Sequence, residues 1–176
     1  MVTFGHFEPE FLDEITREIR TAYGLSTVIQ ESYVDLTEHY NPSRRQYDAN
    51  NLLNILRAIP VNGAIKTVGI FRVDLFIPVL TYIFGQAVLS GPIAIASLYR
   101  LRNELYGLEK NNDLLLDRFI KVIVHELGHS FGLVHCHNPG CVMRSSTYVE
   151  DIDQKGRGLC YRCHRLLDLQ PESEVL

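Results

Sequence analysis

The sequence predicts an α/β protein in which a mixed, twisted β-sheet packs against helices. Through the first half of the chain, segments rich in β-branched residues alternate with segments of helical periodicity, the order typical of layered α/β folds. Short connections containing glycine and proline separate the later apolar segments, which favours at least one antiparallel pairing and an antiparallel edge strand. A long apolar helix follows these strands and is expected to run through the core.

The first predicted elements are a helix, a strand and a second helix. The segment 9–24 carries apolar residues at helical spacing, with Pro9 suited to the first turn and Gly24 to the C-terminal end. The segment 25–36 is rich in β-branched residues, which favours a strand. The segment 43–59 returns to helical spacing.

Three further strands are predicted in the middle of the chain. They occupy the segments 64–78, 81–89 and 91–101, and the first of them ends at Pro78. The Gly-Pro pair that precedes the third is a break between strands. These strands complete the alternating order on which the fold class rests.

The segment 114–131 predicts the long core helix, because it is apolar on nearly all sides. Its N-cap candidates are Asn111, Asn112 and Asp113. Beyond Gly132 the composition turns to glycine, cysteine, proline and serine, and few periodic segments remain. The region after this helix is therefore expected to contain little regular structure.

Composition and charge restrict the size of the fold and the kinds of partner. A chain of 176 residues with 46% hydrophobic composition predicts one domain, at 1–176. A formal net charge of -4 provides no field that would attract nucleic acid or an anionic membrane. No apolar segment approaches the roughly 20 residues that span a bilayer, and the N-terminus lacks a secretory pattern. We therefore expect a soluble, cytoplasmic monomer that acts through a pocket.

The stretch HELGHSFGLVH, which has the form HExxHxxGxxH, predicts a catalytic zinc site. His125 and His129 are four residues apart, so on a helix their rings lie one turn apart on one face. Gly132 can adopt the left-handed conformation that ends a helix and turns the chain, which lets His135 become the third ligand. Three neutral imidazoles leave zinc its full charge and an open position for water.

Glu126, next to the first ligand, is the predicted general base. Its carboxylate can face a water in the open position and accept the proton that the ion makes acidic. The nucleophile would attack a polarised carbonyl, and the proton would pass to the leaving amine. A glutamate on a helix is in most proteins only solvated, but this one lies inside the motif on an otherwise apolar helix.

All four cysteines lie in the C-terminal part of the chain: Cys136, Cys141, Cys160 and Cys163. They form two short pairs separated by a loop, the usual form of a structural zinc site. A thiolate would weaken the Lewis acidity of the histidine-bound ion, so the cysteines are expected to hold a separate one. Disulfide pairing is the alternative, which a reducing cytosol disfavours. The sequence thus predicts two Zn²⁺ ions per chain, with His137 and His164 as bystanders.

Met143 follows the third histidine, and with it the histidine motif resembles the signature of the metzincin metallopeptidases. The cysteine pattern narrows the resemblance to the archaemetzincins. It implies about five strands with helices on one side, an active-site cleft and a small zinc-stapled C-terminal subdomain. The division would fall at about 1–132 for the upper part and about 133–176 for the lower part.

The resemblance also implies roles for individual residues. The three histidines match the family's catalytic zinc ligands, Glu126 its general base and Met143 the Met-turn residue, which underlies the histidines without binding the ion. Some metzincins have a tyrosine two residues beyond this methionine, where this chain has Ser145. Tyr148 is off register, so it is assigned no part in stabilising an oxyanion.

In metzincins an extended substrate pairs with the antiparallel edge strand, for which the segment 84–87 is the candidate.

We therefore expect a zinc peptidase that acts on short peptides, and the short stretch before the domain argues against a secreted zymogen. The competing class is a zinc-containing peptide- or protein-binding module with little turnover. An intact Glu126 favours the enzyme. Binding of nucleic acid through the cysteine zinc is a third alternative, disfavoured by the acidic charge.

Overall fold

The computed structural model describes residues 1–168. The strands are β1 (Val2–Phe4), β2 (Gln30–Ser32), β3 (Tyr40–Asn41), β4 (Gln46–Asp48), β5 (Thr67–Phe71), β6 (Leu75–Phe76), β7 (Gly85–Ala87) and β8 (Ile93–Ser97). The α-helices are α1 (Pro9–Tyr23), α2 (Ala49–Ala58), α3 (Asn112–Ser130), α4 (Val149–Asp153) and α5 (Tyr161–Asp168). Short 3₁₀ helices span Thr37–His39, Tyr99–Leu101 and Asn103–Tyr106.

Five of the strands form one mixed sheet in the order β2-β1-β5-β8-β7. β1, β2, β5 and β8 run parallel, whereas β7 pairs antiparallel with β8 at one edge. The other three strands form a smaller sheet in the order β3-β4-β6. The predicted α/β class, the five-stranded mixed sheet and its antiparallel edge strand are confirmed.

Helices cover both faces of the five-stranded sheet. On β5, Val68 and Ile70 pack into the core formed with α1 and α3, whereas Phe71 packs with the leucines of α2. The same alternation separates Ala94 from Ile95 on β8. The expectation of helices on one side is therefore wrong, because parallel strands with apolar residues on both faces need cover on both.

Several predicted segments are shorter or divided in the structure. The helix expected at 43–59 begins only with α2, because the Asp48 side chain caps it by accepting a hydrogen bond from the Asn50 N–H at 2.9 Å. The strand expected at 64–78 is two strands, β5 and β6, which belong to different sheets. The next two expected strands are regular only in their centres, at β7 and β8.

The first helix and the long core helix agree with the prediction. Gly24 ends α1 in the left-handed conformation, with φ of 70°, and its N–H donates to the Arg20 carbonyl at 2.8 Å. Of the N-cap candidates, Asn111 caps α3 by accepting a hydrogen bond from the Leu114 N–H at 2.9 Å. The sequence pattern missed β1, α4 and α5, which are too short for periodicity to identify. No helix among residues 1–168 is long and apolar enough to cross a membrane.

Partly buried ion pairs hold the chain beyond α3 to the helices. Arg118 of α3 donates from Nε and Nη2 to the two carboxylate oxygens of Asp153, each at 2.7 Å. Arg157 binds Asp117 of α3 at 2.7 Å and Glu14 of α1 at 2.8 Å. These pairs fix α4 and the following loop against the helical layer.

The division into an upper part at about 1–132 and a lower part at about 133–176 stays a prediction. The segment 133–168 does contain the two short helices α4 and α5, and α4 packs against α3 through the pair of Asp153 and Arg118. Residues 169–176 of the expected lower part lie outside the described residues.

Replacing Asp153 by Ala is expected to lower the free energy of unfolding by about 2 kcal/mol, because the buried guanidinium of Arg118 loses its carboxylate. A fully buried pair would cost about 3–5 kcal/mol, and the partial exposure of Asp153 reduces this value. Denaturant unfolding followed by circular dichroism measures the change. The control is Glu8→Ala, which breaks the exposed pair with Arg72 and should cost under about 0.5 kcal/mol. Equal losses in both variants would contradict the prediction.

Candidate metal centres and active-site cleft

The three histidines predicted as zinc ligands lie together at the end of α3. His125 and His129 are one helical turn apart, and their ring centroids are separated by 4.6 Å. The ring of His135 lies 5.3 Å from that of His125 and 5.0 Å from that of His129. One ring nitrogen of each lies within 4.8 Å of those of the others, as a shared ion requires.

The turn after α3 brings His135 to the other two histidines. Gly132 has a φ of 87°, a conformation that favours glycine, and its N–H donates to the His129 carbonyl at 2.9 Å. The Leu133 N–H donates to the Gly128 carbonyl at 2.9 Å and completes the turn. The predicted function of Gly132 in ending the helix is confirmed.

Hydrogen bonds to the backbone select the imidazole tautomer that binds metals. Nδ1 of His125 lies 2.8 Å from the carbonyl oxygen of Val142. Nδ1 of His129 lies 2.7 Å from the carbonyl oxygen of Leu133. Because a carbonyl only accepts, each Nδ1 carries the proton and each Nε2 keeps a lone pair. The two Nε2 atoms are 3.0 Å apart, where lone pairs repel unless a cation lies beside them, so this donor set fits a zinc ion.

Burial keeps these imidazoles neutral. It lowers the pKa of all three histidines, most strongly that of His125. The Lys155 ammonium acts on each of them in the same direction. Neutral imidazole is the form that donates a lone pair to a metal, so the electrostatics of the site agree with its geometry.

Glu126 is buried beside the histidines and lines the same cleft. Burial raises the pKa of its carboxyl to about 8, while the Lys155 ammonium acts in the opposite direction. Space for this side chain depends on Gly85 of β7, where a Cβ would lie 2.7 Å from Cγ of Glu126 and 2.7 Å from the Ile95 carbonyl oxygen. The sequence analysis missed Gly85, although a glycine within a strand can mark such a close approach.

Met143 packs against α3 between the first two histidines. It is fully buried, and a Cβ added at Gly128 would overlap its Sδ atom. A glycine inside a helix costs about 1 kcal/mol relative to alanine. Because of that cost, a glycine inside a predicted helix could have identified Gly128 in the sequence as a position of close packing.

The cysteines form a second cluster of ligand atoms. The four sulfur atoms lie within 4.8 Å of one another, and they belong to Cys136, Cys141, Cys160 and Cys163. Two of the Sγ–Sγ distances are 3.7 and 3.8 Å. Tetrahedral zinc with bonds of about 2.3 Å places its sulfur atoms about 3.8 Å apart, whereas a disulfide is about 2.05 Å long. The distances fit a shared zinc ion and not the disulfide alternative, and neither His137 nor His164 belongs to the cluster.

Short stretches of chain connect the cysteine cluster to the histidines. His135 and Cys136 are adjacent in sequence. Cys141 directly precedes Val142, whose carbonyl accepts the hydrogen bond from His125. The positions of two cysteines therefore constrain two of the three histidines.

A cleft of about 520 Å³ connects the histidines to the antiparallel edge strand. Residues 84–87, at and just before β7, line it, which places the predicted edge strand beside the three histidines. The segment 145–148 lines it as well, so Ser145 and Tyr148 both belong to its wall. The backbone N–H of Tyr148 donates to the Asp151 carboxylate at 2.9 Å at the start of α4, a contact that gives its ring no part in stabilising an oxyanion.

Two features of the cleft have no counterpart in the sequence analysis. Lys155, just beyond α4, lines the cleft, and no motif marks this lysine in the sequence. Two buried polar atoms of the lining, Oε1 of Gln86 and Oγ of Ser146, have no hydrogen-bond partner among residues 1–168. The cleft thus presents a cation and unpaired polar groups close to the histidines.

Comparison with known proteins gives consistent matches over nearly the whole chain. The model of Peptidase family M54 matches residues 4–169. The archaemetzincin of Thermococcus kodakarensis is 36% identical over 173 residues, which cover 95% of this chain and 93% of that protein.

Solved structures show the same fold. The crystal structure of archaemetzincin from Methanopyrus kandleri matches with a TM-score of 0.82 and 31% identity, and the match covers 95% of this chain and 91% of that one. The crystal structure of a zinc-dependent peptidase from Methanocorpusculum labreanum matches with a TM-score of 0.81 and 26% identity, covering 94% and 98%.

Proposed function

The chain belongs to peptidase family M54, a family of metallopeptidases that includes the archaemetzincins, and on that premise we propose that it hydrolyses peptide bonds in short peptides, with zinc held by His125, His129 and His135. The observation that carries the proposal is the pair of Nε2 atoms 3.0 Å apart on the lining of the cleft. Their rings donate Nδ1–H to backbone carbonyls, so the Nε2 lone pairs remain for an ion.

Glu126 is proposed as the general base. Zinc, when bound, supplies Lewis acidity. The Glu126 carboxylate accepts a proton from the attacking water and delivers it to the nitrogen of the leaving amine. Burial raises the pKa of Glu126 to about 8, which makes its carboxylate a stronger base, and the Lys155 ammonium offsets that rise only in part. Burial of Glu126 excludes bulk water that would compete for the proton.

β7 is proposed to bind the substrate as an added antiparallel strand. It pairs with β8 on one side and lies at the edge of the sheet, and among residues 1–168 no strand pairs with its other side, where an extended peptide can bind. Residues 84–87 line the cleft that contains the histidines, so a peptide paired there would pass the zinc site. A cleft of about 520 Å³ holds only a few residues, which supports short peptides as substrates.

The cysteine cluster is proposed to hold a second, structural zinc ion. Four thiolates fill the tetrahedral shell and leave no position for a substrate. None of the four cysteines is among the residues of 1–168 that line the cleft. Met143 is proposed as the Met-turn residue, since it is fully buried and packs against Gly128, which lies between His125 and His129 in the sequence of α3.

Elemental analysis and peptide cleavage together test this function. We expect two zinc ions per chain and cleavage of unstructured peptides by the wild type. We expect one ion and no cleavage in His129→Ala, because two imidazoles hold zinc poorly. The control is His6→Ala, an exposed histidine outside both clusters. Two ions retained in His129→Ala would refute the histidine site, whereas two ions in a wild type that cleaves no peptide would favour the zinc-containing binding module.

A further inference from the structure

Lys155 is a buried cation of the cleft that lacks a carboxylate partner. The residue is 5% exposed, and its Nζ donates one hydrogen bond, to the Arg144 carbonyl at 2.8 Å. Among the side chains described, which are those of residues 1–167, no carboxylate oxygen lies within 4.0 Å of this Nζ. Burying an ammonium is costly unless it is paired, so an unpaired one needs an explanation.

The neighbouring buried cations are paired, which makes Lys155 an exception in this region. Arg118 binds Asp153 at 2.7 Å, and Lys121 binds Asp117 at 2.7 Å. The side chains of these two cations are only 5% and 6% exposed, a burial comparable to that of Lys155. The absence of a carboxylate beside Lys155 is therefore a local property of the cleft and not a general feature of the fold.

The ammonium of Lys155 is held close to the reacting groups. Lys155 lines the cleft together with Glu126 and the three histidines. The preceding helix α4 is fixed to α3 through Asp153 and Arg118, so the lysine cannot swing freely into solvent. Burial itself lowers the pKa of Lys155 to about 8, and Glu126 offsets this only in part.

The surrounding wall suits a carboxylate better than a neutral group. Ser146, whose buried hydroxyl has no partner among the described residues, lines the same cleft, as do the apolar side chains of Val122 and Ile152. In such a setting a carboxylate would form charge-assisted hydrogen bonds and compensate the buried ammonium.

We propose that Lys155 is a specificity residue that binds a carboxylate of the peptide next to the cleaved bond, either an acidic side chain or a free C-terminal carboxylate. This inference rests on the proposed function in that its ligand is a peptide. It does not require that the peptide be cleaved, because a binding measurement alone would show the preference. It predicts that peptides with such a carboxylate are preferred over matched neutral peptides roughly 10- to 100-fold, the range expected for a hydrogen bond to a charged group.

The test uses two pairs of synthetic peptides. In the first pair, one peptide has Glu and the other has Gln at a given position, and each position is tested in turn. In the second pair, one peptide has a free C-terminus and the other has an amidated C-terminus. kcat/KM is measured for wild type, Lys155→Met, Lys155→Arg and the control Lys110→Met, an exposed lysine outside the cleft. The wild type and the Lys110 variant should prefer the carboxylate, Lys155→Arg should retain the preference, and Lys155→Met should lose it. Because Lys155→Met also removes a positive charge near Glu126, the readout is the ratio of the two kcat/KM values and not the absolute rate.

The pair that shows the preference identifies the source of the carboxylate. An equal loss for all peptides in Lys155→Met, or an unchanged preference, would overturn the inference. Lys155 also lies within electrostatic range of Cys141, so it could serve only to offset thiolate charge. Loss of zinc from Lys155→Met with the preference intact would establish that purely structural role and reject ours.

Calorimetric titration separates this inference from the proposed function. The same peptides are titrated into zinc-loaded Glu126→Gln protein, with and without Lys155→Met, so that cleavage does not interfere. Tighter binding of the carboxylate peptides, lost in the Lys155 variant, would support the inference even if the wild type cleaved nothing. Equal binding of charged and neutral peptides to both proteins would reject it even if the peptidase assignment held.

Discussion

Replacing Glu126 by Gln is expected to lower kcat on short peptides about 10³-fold while zinc content stays unchanged. Glutamine has nearly the same shape as glutamate, so it fits the space left by Gly85. It cannot accept a proton from the attacking water, and loss of a general base costs about 10²- to 10⁴-fold. Steady-state kinetics on unstructured peptides, with elemental analysis of the same sample, measures both quantities.

The matched control is Glu10→Gln, an exposed glutamate in the first turn of α1. It should change neither kcat nor zinc content, because its side chain lies in solvent and outside the cleft. A Glu126→Gln enzyme within about threefold of the wild-type kcat would exclude Glu126 as the base. Glu126 lies outside the histidine cluster, so the variant should keep its zinc. A loss of zinc from the histidine site would show instead that Glu126 contributes to metal binding.

Replacing Cys136 by Ser is expected to empty the cysteine site and to lower zinc occupancy at the histidine site as well. Cys136 directly follows His135, and Cys141 directly precedes Val142, whose carbonyl orients His125. Structural zinc sites contribute an apparent free energy of about 10–16 kcal/mol to the folding of small zinc-finger peptides. Loss of that ion therefore frees the segment that positions two of the three histidines.

Elemental analysis gives the total zinc per chain. Cobalt substitution then shows which site holds the remaining metal ion, because thiolate ligands produce a sulfur-to-metal charge-transfer band. The control is His137→Ala, which changes the neighbour of Cys136 but removes no member of either cluster. It should keep both ions. A Cys136→Ser protein that loses one ion and keeps the histidine site full would show that the two sites are independent.

The clustering of the three histidines could be predicted from the sequence because its geometry is mostly local. His125 and His129 are brought together by one helical turn, and a glycine-ended helix returns the chain to His135. The same holds for the predicted α1 and α3, whose caps are short-range contacts. The alternation of strands and helices likewise sufficed to predict the α/β class, and the short Gly-Pro connections sufficed to predict the antiparallel edge strand.

Other features followed only from contacts between distant parts of the chain. The second helical layer depends on Phe71 and Ile95 facing α2, which the sequence analysis did not derive. Gly85 and Gly128 matter because of Glu126 and Met143, side chains that only the folded chain brings against them.

The sequence by itself determined the candidate ligand types, their spacing and the class of the fold, because helix periodicity, helix termination and metal coordination are local and chemically specific. The tertiary structure decided which groups share the cleft with those ligands. Lys155 carries no motif, and it reaches the cleft because α4 is fixed to α3 by the pair of Asp153 and Arg118. Its unpaired charge results from long-range packing, which no short stretch of sequence encodes.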